Sequence, residues 1–165
     1  MKAYRLFSPR RDPLDVTGAY RSGGRWNSPG TAILYAASSL SLACLEILVH
    51  LRYPAILPAL SYVEFDIQED QVRLWSSLLQ SSESRTQAVL ESMVLSREIG
   101  DEWFKVRRGQ RKAAGWTAAR PVFQVPSVVV PQEWNYLIDP EANSLTYSQP
   151  KPFRLDPRLV DPMLR

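Results

Sequence analysis

TAILYAASSLSLACLEILVHL, residues 31–51, passes without a break from one kind of periodicity to another. Its first part, TAILYAAS, has the short apolar run of a strand. From Ser38 onward, SSLSLACLEILVHL has the length and leucine content of a helix, with Ser38 or Ser39 as N-cap. Pro54 and Pro58 prevent its continuation, since proline lacks the amide proton a helix interior needs. A strand feeding directly into an apolar helix sets the architecture, and one residue in it does not fit. Glu46 is the only acid in that helix, with Leu42, Ala43, Val49 and His50 at the i±3 and i±4 positions. Either the helix has one wet edge there, or Glu46 points into a cleft, desolvated and held by an arginine or a ligand hydroxyl.

Outward from this unit the chain alternates irregularly. Residues 2–7 have period two and read as a strand carrying Arg5 on one face. SPRRDPLDVTGAYRSGGRWNSPGT, residues 8–31, reads as a long loop punctuated by glycine and proline. ALSYVEFDIQ is a strand with Val63, Phe65 and Ile67 on its apolar side. Gln71 to Ile99 is helical, with Ala88, Val89, Met93 and Val94 at helical spacing and Gly100 as its stop; GDEWFKV then opens a second short helix through Asp101. RPVFQVPSVVVP returns to strand character interrupted by Pro126, and NYLIDP and LTYSQPKPFRLDPRL supply a further strand or two and a tail. Without a regular βαβ alternation, the fold class is α/β or α+β, one domain with a mixed sheet.

Composition agrees with one self-sufficient domain. At 165 residues the chain can bury roughly two-thirds of its unfolded surface, and 45% hydrophobic with 22% charged residues is an ordinary globular balance. The net charge of +3 suits a phosphate-bearing ligand or an acidic partner and is too small to imply nucleic acid. The single cysteine, Cys44, lies in an apolar run and reads as core packing; with no signal-like N-terminus and no long apolar span, the expectation is a soluble, cytoplasmic protein. One histidine and one cysteine make no zinc site of ordinary spacing, and no phosphate-binding or dinucleotide glycine motif is present. His50, at the end of its helix, reads as a packed or helix-end residue.

Arg25 follows Gly23 and Gly24, where the backbone can approach a ligand closely and the guanidinium offers a planar fork for phosphate. A lone GGR is more often a simple turn. Arg5, Tyr35 and Glu46 come from the same N-terminal unit and give it company. Together with Ser127 in VPSVVVP they carry a resemblance: the sequence resembles the RES domain, the toxin half of RES–Xre toxin–antitoxin pairs, named for an arginine, a glutamate and a serine, here Arg25, Glu46 and Ser127. YR at Tyr4–Arg5, LYAAS with Tyr35, GDEW, WNYLIDP with Asn135 and PFRLDPRL follow in family order, so the likeness covers nearly the whole chain. It departs in RRGQRKAAGWTAA, residues 107–119, which is extra length, and in DPEANSL, which replaces the family's Asn-Pro and nearby histidine.

The resemblance implies an ADP-ribosyltransferase-like mixed sheet flanked by helices. It also implies consumption of NAD+ as substrate, with the nicotinamide–ribose bond cleaved by phosphorolysis or hydrolysis and inorganic phosphate as a co-substrate in the first case. No bound cofactor or metal is implied. Glu46 would stabilise positive charge developing on the ribose, and Arg5 and Arg25 would hold the pyrophosphate. Tyr35 would border the nicotinamide, Ser127 would hydrogen-bond the ribose or the attacking phosphate or water, and Asn135 would contribute to NAD binding. The expected partner is an Xre-type helix-turn-helix antitoxin in a heteromeric complex, with no direct nucleic acid and no membrane. Three alternatives stand beside this: ADP-ribosylation of a host protein, a catalytically silent antitoxin-binding protein, and a nucleic-acid module built on KVRRGQRK, residues 105–112, whose bland reading is a solvated face.

Overall fold

A computed structural model describes residues 1–50, 59–79, 82–109 and 120–159. Among them, eight strands form one sheet: β1 (Lys2–Phe7), β2 (Leu34–Ala37), β3 (Leu60–Asp66), β4 (Val72–Arg73), β5 (Val122–Pro126), β6 (Trp134–Ile138), β7 (Thr146–Tyr147) and β8 (Lys151–Phe153). Their order is β4-β5-β6-β2-β1-β3-β7, with β8 also on β3, and of the pairings only β4 with β5 is parallel. β1 pairs with β3 from Lys2↔Asp66 to Phe7↔Ser61, and β2 pairs with β6 from Leu34↔Ile138 to Ala37↔Asn135. The sheet is thus mixed, as the irregular alternation of elements predicts.

Both faces of the central strands are covered, which explains their unbroken apolar runs. On one face Leu34, Ala36, Tyr136, Ile138 and Val122 join Val63, Phe65 and Ile67 in a single cluster. On the other, Ile33, Leu137, Phe123 and Val125 pack with Trp26, Trp75 and Trp103. Trp26 meets Trp75 edge-on at 5.3 Å, and Trp103 lies 6.0 Å from Phe123.

The helices are α1 (Thr17–Ser22), α2 (Leu40–Leu48), α3 (Ser76–Leu79), α4 (Glu83–Glu91) and α5 (Met93–Arg107). Ser39 caps α2, its hydroxyl accepting from Leu42 N at 3.0 Å, and Cys44 of that helix is buried, as expected. Pro54, Pro58 and most of the extra segment after Gly109 lie outside the described residues.

Four expectations are corrected. The 8–31 stretch is not all loop: α1 forms within it, just after Asp15, which accepts from Thr17 N at 2.8 Å. The 71–99 stretch is not all helix, because β4 adds to the sheet beside β5 before α3 begins. Gly100 does not stop a helix; α5 runs through it, with Val89 buried but Ala88, Met93 and Val94 exposed. Pro126 ends β5 rather than interrupting it.

Candidate functional site

Glu46 lies in the second turn of α2, part-buried over a cleft of about 660 Å³. Its Oε1 accepts two hydrogen bonds, from Ser127 Oγ at 2.8 Å and from Asn135 Nδ2 at 2.6 Å. Ser127 is fully buried, and its oxygen accepts from Val129 N and Val130 N, each at 3.0 Å. A serine hydroxyl has one proton and two lone pairs, and all three are spent here. The carboxylate is therefore pinned through one oxygen by a relay that begins at backbone amides, while Oε2 has no partner among the described residues. Serine and asparagine hold Glu46, not the arginine considered from sequence. The Ser127 hydroxyl, expected to bond ribose, phosphate or water, is engaged here with Glu46 and two backbone amides.

Arg25 is placed by a loop held through a dense set of hydrogen bonds. Asn27, fully buried, donates from Nδ2 to Ala19 O, Ser28 O and Thr31 O at 3.0, 3.0 and 3.1 Å and accepts Tyr35 OH at 2.7 Å. Trp26 N in turn donates to the Tyr35 oxygen at 3.1 Å. A Cβ on Gly24 would lie 2.7 Å from that oxygen and 2.8 Å from Asn27 Oδ1, so only glycine fits. Gly23, at φ +70°, turns the chain out of α1. From the other side α5 clamps the same loop. Ser96 Oγ donates to Arg25 O at 2.8 Å and Arg97 Nε to Gly24 O at 2.9 Å, while Asp101 accepts from Ser28 N and Thr31 Oγ1. Gly100 lets the helix come this close; a Cβ there would fall 1.8 Å from Trp26 O.

The Arg25 guanidinium lines the cleft and donates through Nη2 to Val89 O, at 3.4 Å, and to Leu90 O, carbonyls at the C-terminal end of α4. Arg5 lines the cleft from β1, each terminal nitrogen making one backbone bond: Nη1 to Tyr35 O at 3.1 Å and Nη2 to Asp15 O at 2.7 Å. Burial draws the Arg5 pKa down to about 10 against the raising influence of the Asp15 and Asp12 charges, and the group stays cationic at neutral pH. Burial likewise raises the Tyr35 phenol above its ordinary range, so it remains a neutral hydrogen-bonding group.

The cleft thus brings together Arg5, Arg25, Tyr35, Glu46 and Asn135, contributed by β1, the 24–31 loop, β2, α2 and β6, with Ser127 directly behind. Two lining residues were not singled out as ligand contacts by sequence. Arg97 sits in the middle of an amphipathic helix, where a surface arginine is unremarkable; its only signal is its place three residues before Gly100. His50 is at the helix end, as read, but it is exposed and borders the cleft rather than packing away. No group of three or more His, Cys, Asp or Glu side chains could hold a metal among the described residues, and no helix there is long and apolar enough to cross a membrane.

Residues 2–156 match the family profile described as RES domain. The chain belongs to the RES domain family. The RES domain is 35% identical over 160 residues to a Prs ADP-ribosylating toxin from Sphingobium sp. (strain YBL2), covering 90% of this chain and 88% of that protein. It is 33% identical over 146 residues to a Toxin Res from Yersinia enterocolitica serotype O:8 / biotype 1B (strain NCTC 13174 / 8081), covering 86% and 87%. Its fold is similar to one in the crystal structure of the M. tuberculosis MbcT–MbcA toxin–antitoxin complex, with a TM-score of 0.67 at 17% identity over 96% of this chain and 86% of that one.

Proposed function

We propose that this RES domain is the toxin of a toxin–antitoxin pair and that it cleaves NAD+ at the bond between nicotinamide and ribose. The observation that carries the reading is Glu46, a carboxylate pinned through one oxygen and open at the other, in the same cleft as the guanidinium groups of Arg5 and Arg25. Nicotinamide leaves with the electron pair of the glycosidic bond, and positive charge grows on the ribose as it goes. A fixed carboxylate gains interaction energy as that charge appears and so favours the transition state over the ground state. An oxygen of water or of inorganic phosphate then bonds to the anomeric carbon, giving ADP-ribose or its 1″-phosphate, and the proton from water passes to solvent.

Arg5 and Arg25 supply positive potential for the diphosphate, Tyr35 borders the nicotinamide end, and Asn135 and Ser127 hold the carboxylate. NAD+ is substrate here, and no resident cofactor enters the reaction. An Xre-type helix-turn-helix antitoxin is the proposed partner, in keeping with relatives named as toxins and a fold found in a toxin–antitoxin complex. A second reading, transfer of ADP-ribose to a host protein, is favoured by the name of the Sphingobium relative.

Incubation of the purified protein with NAD+, with and without inorganic phosphate and with products resolved by chromatography, tests both. Free nicotinamide with ADP-ribose indicates hydrolysis, and nicotinamide with a phosphorylated ADP-ribose indicates phosphorolysis. Nicotinamide release that requires an added host lysate, with label appearing on a protein, would replace cleavage by transfer.

A further inference from the structure

Resting on the NAD+ reading, we infer that Arg97 of α5 is a diphosphate-holding group of the cleft. The three cationic side chains lining the cleft differ in how many donors they have left. Arg5 has given one N–H of each terminal nitrogen to its own chain, tying β1 to Tyr35 O and to Asp15 O. Arg25 has given Nη2 to the end of α4. Arg97 uses only Nε, on Gly24 O at 2.9 Å, and neither of its terminal nitrogens has a partner among the described residues.

That arrangement is what an anion site needs. The guanidinium is planar, so a bond that fixes Nε to a rigid backbone carbonyl also fixes the plane in which the terminal N–H groups project. The carbonyl belongs to Gly24, immediately before Arg25, in the loop that Asn27, Tyr35 and α5 hold in place. Arg97 therefore enters the cleft already oriented, with a four-hydrogen fork that matches two oxygens of a phosphate or diphosphate bidentately. Arg5 keeps its charge and one free N–H on each terminal nitrogen, but with its guanidinium held at both ends by Tyr35 O and Asp15 O it can turn its full fork toward a diphosphate only by breaking those bonds.

The test compares two ligands in direct binding by calorimetry, ADP-ribose with its diphosphate and adenosine without one. Hydrogen bonds to a charged group correspond to roughly a 10- to 100-fold change in affinity. Arg97→Gln is expected to weaken ADP-ribose by that factor and to leave adenosine unchanged, and Arg97→Lys, which keeps charge without the fork, to fall between. A merely structural role for the Nε bond would weaken both ligands together, and that result would overturn the assignment, as would wild-type affinity for ADP-ribose in Arg97→Gln or no ADP-ribose binding by the wild type. Thermal melting of each variant shows whether the loop has come loose. Failure of the NAD+ reading is seen separately, as absence of nicotinamide release from the wild type that binds ADP-ribose normally.

Discussion

Glu46 is a charged residue on a nearly all-apolar helix, and its surroundings show what keeps it there. Two neutral donors converge on one oxygen, so the charge is partly satisfied without an opposing cation that would blunt its attraction for a cationic sugar ring. Glu46→Gln keeps an acceptor for Ser127 and Asn135 but removes the charge. Nicotinamide release should drop roughly 10²–10³-fold while the melting temperature stays within a degree or two of the parent. Ser127→Ala removes the relay instead, orphaning Val129 N and Val130 N and leaving Glu46 held by Asn135 alone. It should cost about 1–3 kcal/mol in chemical denaturation and reduce turnover by misplacing the carboxylate. Asp15 makes a pH prediction. Hydrogen bonding by Thr17 and then Arg11 holds its carboxylate at about 2, below the unfolded value of 3.8. Its contribution to stability is therefore present above the unfolded pKa and lost as pH falls through the folded one. A carboxyl carbon titration by NMR should place the Asp15 midpoint near pH 2, and a midpoint near 4 would mean that the Thr17 bonds do not persist in solution.

At the scale of elements, the decisive pair is α5 and the 24–31 loop. Ser96, Arg97, Gly100 and Asp101 fall on one face of the helix, and each meets the loop by hydrogen bond or by close approach. The loop in turn hangs on Tyr35 of β2 through Asn27, so helix, loop and strand form one block. Gly100→Ala tests it: the added carbon would collide with the backbone of Trp26, which has no rotamer with which to give way. Overpacking of this kind costs about 1–3 kcal/mol, and the expected result is a lowered melting temperature together with lost nicotinamide release as Gly24 and Arg25 are displaced. A fully active, fully stable Gly100→Ala protein would show that α5 does not hold the loop.

For the whole molecule, the sheet with both faces buried has a distribution of charge that argues against the nucleic-acid alternative. Arg107 and Arg108, the described arginines of the basic cluster, are tied to the buried carboxylate of Asp139 at 3.2 and 2.8 Å, and Arg108 also bonds Glu141. Those charges are spent within the fold; residues 110–112 of the same cluster lie outside the described residues. Binding to a mixed-sequence DNA duplex should be weak at 50 mM salt, without the steep linear fall of log affinity against log salt that several phosphate contacts produce. A steep slope with micromolar affinity would restore the nucleic-acid reading. In cells, induction of the chain alone should lower NAD+ and arrest growth, Glu46→Gln should do neither, and co-expression of the partner antitoxin should protect.

The sequence by itself determined much of this protein. The alternation in β1 and β3, the Ser39-capped helix after β2 and the ordered set Arg25, Tyr35, Glu46, Ser127 and Asn135 are all legible from local pattern and family likeness, because periodicity and residue type are properties of neighbouring positions. Sequence misread what depends on distant ones. Gly100 looks like a helix stop until Trp26 is seen against it, and the two-residue strand β4 is too short to carry a period and exists only because β5 offers it a partner. The allocation of donors was invisible too. Ser127 spends its hydroxyl on Glu46, 81 residues away, and Arg97 braces Gly24 across 73 residues. Only the tertiary structure decided which polar groups are consumed in holding the cleft and which are left to meet a ligand, because each has a fixed number of protons and lone pairs and the fold chooses who receives them.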